Sequence, residues 1–306
     1  MRSEIRVRVP ATTANLGPGF DSLALALDLW NEAIFTPVEA GFKLEIEGEG
    51  AGRLPEDRSN PVMQAAQYMS DRLGLPLPGL RVHCINRIPL GSGLGSSAAA
   101  VLLGLLGANA LLGSRLSQGE LIQMAAELEG HPDNAAGALY GGLVIVVKDQ
   151  PDGQSVSWIV RRFDLPLLRM ALVLPEMDFP THAARAALPE QVSLADAVFN
   201  LGRTALVVEA LRMGDLALLG QVMADRLHQP FRLPLIPGAA QALDAACRAG
   251  AAAAVISGAG PSLIAFSAGD PAPVGAAMAR AFADFGLSAR TFLLQSTNRC
   301  AEEEFS

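Results

Sequence analysis

Residues 89–100 read Pro-Leu-Gly-Ser-Gly-Leu-Gly-Ser-Ser-Ala-Ala-Ala, an uncharged run that opens a long apolar segment. Gly91, Gly93 and Gly95 lack a Cβ, so they reach positive φ easily and let the backbone approach a ligand. From residue 96 to 112 the chain consists of good helix formers, and Ser96 or Ser97 stands where an N-cap is expected. A helix therefore starts at the glycine loop. Its unpaired N–H groups and positive dipole end make an anion site, for which phosphate is the usual occupant. The alternative is a glycine-rich turn that only feeds a buried helix.

Two familiar phosphate loops do not fit this spacing. A P-loop requires a lysine after its last glycine, and none follows Gly95; a Rossmann turn requires G-x-G-x-x-G, whereas Gly91, Gly93 and Gly95 give G-x-G-x-G.

The surrounding composition narrows the class of ligand. At 306 residues and 50% apolar, the chain can bury a large core, in two domains or one elaborated α/β unit. A net charge of −8 disfavours a general binder of nucleic acid or of anionic membranes, so a small molecule is the expected partner. Cys84, Cys247 and Cys300 form no C-x-x-C pair, which suits a reducing cytoplasm, and the scattered histidines suggest no transition-metal site. Any metal is then oxygen-bound, such as magnesium. No charge occurs between Arg87 and Arg115, but Pro89 and the glycines interrupt that run, so burial in a core is preferred to a membrane span. The N-terminus alternates charged with apolar residues and has no apolar h-region, so it reads as a strand.

Along the chain, strands are expected at 5–10, 30–38, 42–47, 80–86 and 143–148, with helices at 61–73, 96–112 and 118–129, the last capped by Ser117. The turn-rich 149–154 marks a soft boundary between a domain at 1–155 and another at 156–306. In the second half, strands are expected at 170–174, 253–257, 263–267 and 289–294. Helices are expected there at 194–213, 216–226, 238–249 and 274–285. The 301–306 tail alone reads as disordered.

Four further features suggest chemistry. Asn15 and Asp21 lie on a glycine-punctuated turn, where an amide and a carboxylate suit a substrate ammonium or hydroxyl, or else form a plain Asx-turn. Glu127 and Glu129 close a helix where negative charge opposes the dipole, which points to a held cation or to a solvated terminus. Residues 257–262, SGAGPS, read as a tight hairpin between two strands. Thr181 and Arg185 share a face if their segment is helical, and Arg232 follows in a proline-rich loop; arginines can clamp a carboxylate.

Taken in order, PATTANLGPGFDSLALAL (10–27), IPLGSGLGSSAAA (88–100), EGHPDN (129–134) and SGAGPS (257–262) resemble the successive motifs of the GHMP small-molecule kinases, and most closely those of members that act on homoserine. The resemblance implies an α+β, two-domain fold, with an N-terminal ribosomal protein S5 domain 2-like unit and a C-terminal ferredoxin-like α/β sandwich. It implies transfer of a phosphoryl group from ATP to the side-chain hydroxyl of L-homoserine, on the route to threonine, in a cytoplasmic homodimer that binds neither nucleic acid nor membrane.

Carried over residue by residue, the resemblance gives the ATP phosphates to Pro89, Leu90, Gly91, Ser92, Gly93, Leu94, Gly95, Ser96, Ser97 and Ala98, and Mg²⁺ to Ser97 and Glu129. Asn15, Asp21, Thr181, Arg185 and Arg232 match the amino-acid pocket, and Thr181, Ser97 and Asn134 the reacting centre. Asn134 stands where other members carry an aspartate proposed as base, and an amide accepts no proton as a carboxylate does. Catalysis then rests on positioning and charge stabilisation, with Asp133 as the alternative base. Asn60 and Pro61 are assigned to the adenine neighbourhood.

Overall fold

The computed structural model describes residues 4–113, 116–149 and 156–305, apart from the side chain of Thr181. The first half runs β1 (Ile5–Ala14), β2 (Leu23–Val38), β3 (Phe42–Gly48), α1 (Pro61–Leu73), β4 (Gly79–Asn86), α2 (Ser96–Leu111), α3 (Gln118–Glu129), α4 (Asp133–Tyr140) and β5 (Leu143–Asp149). It continues with β6 (Ser157–Phe163), β7 (Arg169–Pro175), α5 (Thr181–Ala186), α6 (Leu194–Met213), α7 (Leu216–Val222), α8 (Gln229–Arg232) and α9 (Ala239–Arg248). The chain ends with β8 (Ala253–Ile256), β9 (Leu263–Ser267), α10 (Ala272–Ala283), β10 (Ala289–Gln295) and β11 (Glu302–Phe305).

Among the described residues the strands form two sheets. One is seven-stranded, in the order β11-β1-β2-β4-β3 with β5 and β6 continuing from β2; the other is four-stranded, β10-β7-β9-β8. Strand β7 shows how the layers join. Met170 and Leu172 face the larger core shared with the first sheet, while Ala171 and Val173 face Ala242, Met278 and Phe282 of α9 and α10. This period-two alternation packs the small sheet on both faces.

Helix α2 is the centre of the first layer, with a run of buried residues that includes Ala98, Leu102, Leu105 and Ala110. It packs on α1, α3 and β1, which explains an apolar surface all round its axis. Among the described residues no helix is long and apolar enough to cross a membrane.

Several expectations are corrected. Strand β1 runs on to Ala14 instead of ending at Pro10, because the ladder shifts register between Pro10 and Ala11 and so tolerates a residue without an N–H. The second helix of the C-terminal half stops at Val222, not at residue 226: the Asp225 carboxylate accepts the N–H groups of Leu227, His228 and Gln229 and starts a new turn. The tail expected to be disordered forms β11, antiparallel to β1. Its register sets Glu304 opposite Arg6 and Glu302 opposite Arg8, so an acidic strand meets a basic one. The boundary expected at 155 lies outside the described residues. Strands β6 and β11, although beyond it in sequence, pair into the first sheet.

Candidate active site

The glycine loop and the start of α2 form one wall of a cleft of about 750 Å³, counting its open mouth. Gly91, Gly93 and Gly95 have φ of 60°, 74° and 70°, the left-handed conformation their lack of Cβ permits. The loop is tied down by its neighbours. Thr12 N donates to Leu94 O at 3.1 Å, Ser92 Oγ to Pro89 O at 2.7 Å, and Ser257 Oγ to Gly93 O at 2.8 Å.

Neither serine caps the helix, contrary to expectation: Gly95 is the N-cap and no side chain bonds the first turn. The N-terminal amides of α2 are thereby left for an anion. A Cβ on Gly93 would be driven into the Ser257 carbonyl oxygen and would meet Gly260 O at 3.0 Å, both on backbone that cannot rotate away. Gly93→Ala is accordingly expected to cost about 3 kcal/mol of stability, read from urea unfolding, and to weaken nucleotide binding.

Ser97 faces the end of α3, where its Oγ donates to Glu129 Oε1 at 2.6 Å. Burial raises the pKa of Glu129 against the opposing pull of Ser97 and His131. Among the described residues no lysine or arginine pairs with it. Glu127, the other acid of this terminus, belongs to a different cluster, accepting from Tyr68 Oη and, at 2.6 Å, from Arg72 Nη1. A partly buried carboxylate with no lysine or arginine paired to it among the described residues, offset only in part by His131, is a candidate cation site.

The turn after Glu129 brings in α4. His131 Nδ1 lies 2.9 Å from Asp133 Oδ1, and that contact, ahead of the opposing effect of burial, raises the pKa of His131. Asp133 Oδ1 also accepts from Asn134 N at 2.7 Å and Asn134 Nδ2 at 3.2 Å, while Asn134 Oδ1 accepts from Thr12 Oγ1 at 2.8 Å. Asn134 is thus locked in one orientation beside Gly95.

The opposite wall is charged. Asn15, Leu16 and Asp21 all have positive φ, at 70°, 47° and 50°, a strained conformation for side-chain-bearing residues that the surrounding contacts must enforce. Asn15 supplies two of those contacts: its Oδ1 accepts from Asp21 N at 3.0 Å and its Nδ2 donates to Gly258 O at 2.7 Å. Arg185, on α5, forks onto Asp21 at 2.9 and 3.1 Å. Arg232 is 2% exposed and makes no ion pair among the described residues; burial lowers its pKa, partly offset by Asp21.

The residues matched at 60–142 are those of the GHMP kinases N terminal domain, and 207–284 those of the GHMP kinases C terminal domain. Homoserine kinase of Moorella thermoacetica is 46% identical over 92% of this chain and 93% of its own length. The chain belongs to the homoserine kinase family of the GHMP kinases. Homoserine kinase of a Synechococcus strain is 44% identical over 95% of the chain and 94% of that protein. The crystal structure of homoserine kinase from Cytophaga hutchinsonii superposes with a TM-score of 0.86 at 32% identity, covering 99% of this chain and 98% of that one. A mevalonate kinase from L. major, at 17% identity and a TM-score of 0.68, shares the fold.

In this kinase the cleft gathers Asn15, Asp21, Glu129, Asn134, Arg185 and Arg232, together with loop residues from Gly91 to Ala98. Leu94 is buried in the core and, like Pro89 and Leu90, does not line the cleft. Thr181 opens α5, and its side chain lies outside the described residues. Asn60 caps α1, accepting from Val62 N at 3.0 Å and donating to Pro55 O at 2.9 Å, and does not reach the cleft. The structure adds His131 and the 258–260 turn to the lining. The place of His131 between Glu129 and Asn134 is the one signal the sequence offers for it, since no metal-ligand spacing marks it.

Behind this wall His228 is fully buried. Burial lowers its pKa from 6.5, against the pull of Asp225 and Gly17 and with help from Arg232; Asp21 is the remaining charge facing it. The unfolded chain therefore takes up a proton at 6.5 that the folded chain accepts only at lower pH. This contribution to stability is complete above 6.5 and is lost as pH falls. Urea midpoints should drop between about pH 6.5 and 5.5, and less steeply in His228→Gln.

Proposed function

We propose that this chain transfers the γ-phosphoryl group of ATP to the side-chain hydroxyl of L-homoserine, giving O-phospho-L-homoserine and ADP. The observation that carries this reading is the cleft itself. An uncapped helix start and a partly buried Glu129 with no lysine or arginine partner among the described residues lie on one side, and a zwitterion-shaped set of charges lies on the other. The Asp21 carboxylate complements an α-ammonium, and Arg185 with Arg232 complements an α-carboxylate. Until substrate arrives, Asp21 and Arg185 neutralise each other.

The loop from Gly91 to Ala98 and the amides of α2 would hold the triphosphate. Ser97 Oγ and the Glu129 carboxylate would hold Mg²⁺, and their donor set fits it: oxygen only, one carboxylate, with no cluster of three or more His, Cys, Asp or Glu ligands among the described residues. Such an ion completes its shell with phosphate oxygens and water. When bound it neutralises charge on the transferring phosphoryl group.

The substrate hydroxyl oxygen bonds to the γ-phosphorus as the bond to the β,γ-bridging oxygen breaks. Asn134 contributes orientation, since its amide accepts no proton and is fixed by Thr12 and Asp133. A loose transition state asks little of a base, so the hydroxyl proton leaves late, onto an oxygen of the transferred group. Asp133 is taken up by His131 and Asn134, which supports this reading over Asp133 as base.

A panel of alcohols with Mg-ATP tests the assignment. ADP release should be far faster with L-homoserine than with mevalonate, galactose or shikimate, and a flat panel would sink it. The protein is further proposed to work in the cytoplasm, on the threonine route, as a homodimer. Three free cysteines support the first, and exposed Leu194, Val198 and Leu201 on α6 support the last. Sedimentation gives the oligomeric state.

A further inference from the structure

Arg232 carries its charge in a buried place with only neutral and rather distant acceptors. Its Nε lies 3.3 Å from Ala184 O, and its Nη1 lies 3.3 Å from Gly258 O and 3.4 Å from His228 Nδ1. The backbone carbonyls are fixed by the fold, so the imidazole is the one acceptor of Arg232 that a side chain supplies among the described residues.

The tautomer of that imidazole follows from its other nitrogen, which faces two acceptors, Gly17 O and, at 3.5 Å, the buried Asp225 Oδ2. His228 Nε2 lies 2.8 Å from Gly17 O, and a carbonyl oxygen only accepts, so Nε2 carries the proton. Nδ1 then presents its lone pair to the guanidinium. The ring stacks on Phe20 at 5.2 Å between centroids, and the same Phe20 ring lies under Arg232 at 5.1 Å and Arg185 at 5.8 Å.

Asp225 fixes the turn that carries the imidazole. Its Oδ1 accepts from Leu227 N at 2.9 Å and Asn200 Nδ2 at 2.7 Å, and its Oδ2 from His228 N at 3.0 Å and Gln229 N at 2.6 Å. Asn200 and Thr204 of α6 also hold Pro18 O, at 3.2 and 2.8 Å. One buried unit thus links α6, the substrate loop and the arginine.

We propose that His228 is a positioning residue: as a neutral imidazole it holds the Arg232 guanidinium and the 15–21 loop in one orientation, so that the arginine meets the substrate α-carboxylate. This rests on the homoserine reading above. It assigns to a side chain outside the cleft the orientation of a charge inside it. A guanidinium free to rotate would still attract a carboxylate, but with fewer of its planar N–H groups aligned.

Two substitutions separate the two nitrogens. Gln places an amide N–H near Nε2 and keeps the bond to Gly17, whereas Asn places an oxygen near Nδ1 and keeps the acceptor for Arg232. The probes are L-homoserine and 3-aminopropan-1-ol, which is homoserine without its carboxylate, measured by turnover or by Ki as a competitor. His228→Gln should raise KM for homoserine about tenfold while leaving 3-aminopropan-1-ol and the KM for ATP within about twofold. His228→Asn should stay within about threefold of the parent for homoserine.

Equal losses for both probes in His228→Gln would mean a merely structural role and overturn the proposal, as would an unchanged homoserine KM. If His228→Gln does not fold, a roughly tenfold rise of the homoserine KM in His228→Asn overturns the proposal by itself. A parent enzyme that binds the two probes equally well would instead remove the carboxylate role of Arg232, and the proposal with it.

Discussion

Glu129→Gln is expected to lower kcat roughly a thousandfold, the scale of removing a charge-stabilising group from a phosphoryl-transfer site. The substitution keeps the shape and an acceptor for Ser97 Oγ, which now bonds Oε1 at 2.6 Å, and removes only the negative charge. That charge lies at the C-terminal end of α3, where the dipole disfavours it, and burial raises its pKa further. Among the described residues no lysine or arginine pairs with it, and His131 offsets it only in part. Homoserine binding, which the proposal assigns to the opposite wall, should be unchanged in calorimetry, while the affinity for nucleotide should lose its dependence on Mg²⁺. Unchanged turnover would refute the cation role.

Arg232→Ala should raise KM for homoserine by about two orders of magnitude with a much smaller change in kcat, because it removes the buried charge proposed to pair with the substrate carboxylate. Arg185→Ala is expected to do less. Arg185 already pairs with Asp21 at 2.9 Å, so a contact with substrate would replace an existing one, whereas Arg232 has no ion pair to give up among the described residues. Arg232→Lys keeps the charge but not the planar fork and should fall between the parent and the alanine variant. Steady-state kinetics at saturating ATP measure all three, and a KM for homoserine that stays put in Arg232→Ala rules out the carboxylate assignment.

Elements with local stop and start signals were legible to the residue. Helix α1 has Asn60 as its cap, Pro61 at its first position and Gly74 beyond its end; α3 has the Ser117–Glu120 capping box; α6 runs from its cap Ser193 to Gly214. Strand β11 was not legible, since Glu302 and its acidic neighbours have no apolar period and become a strand only because β1 offers Arg6 and Arg8. Helix α4 was hidden for a related reason: from Asp133 to Tyr140 it is too short to display a helical period, and its N-terminus has no side-chain cap.

The site divides in the same way. The glycine run 89–100 was readable because positive φ at Gly91, Gly93 and Gly95 is a property of the residues themselves. Its serines read locally as helix caps, and only the resemblance paired Ser97 with Glu129. Ser97 turns away from capping α2 because α3 brings Glu129 within 2.6 Å. Asn15 reads in the sequence as a substrate contact or as part of an Asx-turn; in the structure it lines the cleft while both ends of its amide hold backbone, at Asp21 N and Gly258 O.

By itself the sequence determined the capped helices α1, α3 and α6, the turn conformation of the glycine run and the order of the motifs, because caps, glycine conformations and apolar periods act between residues near in the chain. Only the tertiary structure decided which charges are neutralised, which have no ion pair among the described residues, and that a histidine far from any motif lies beside a buried arginine. Burial and pairing depend on distances between segments as far apart as Gly17 and His228. Those distances are set by packing two sheets together, which no local rule contains.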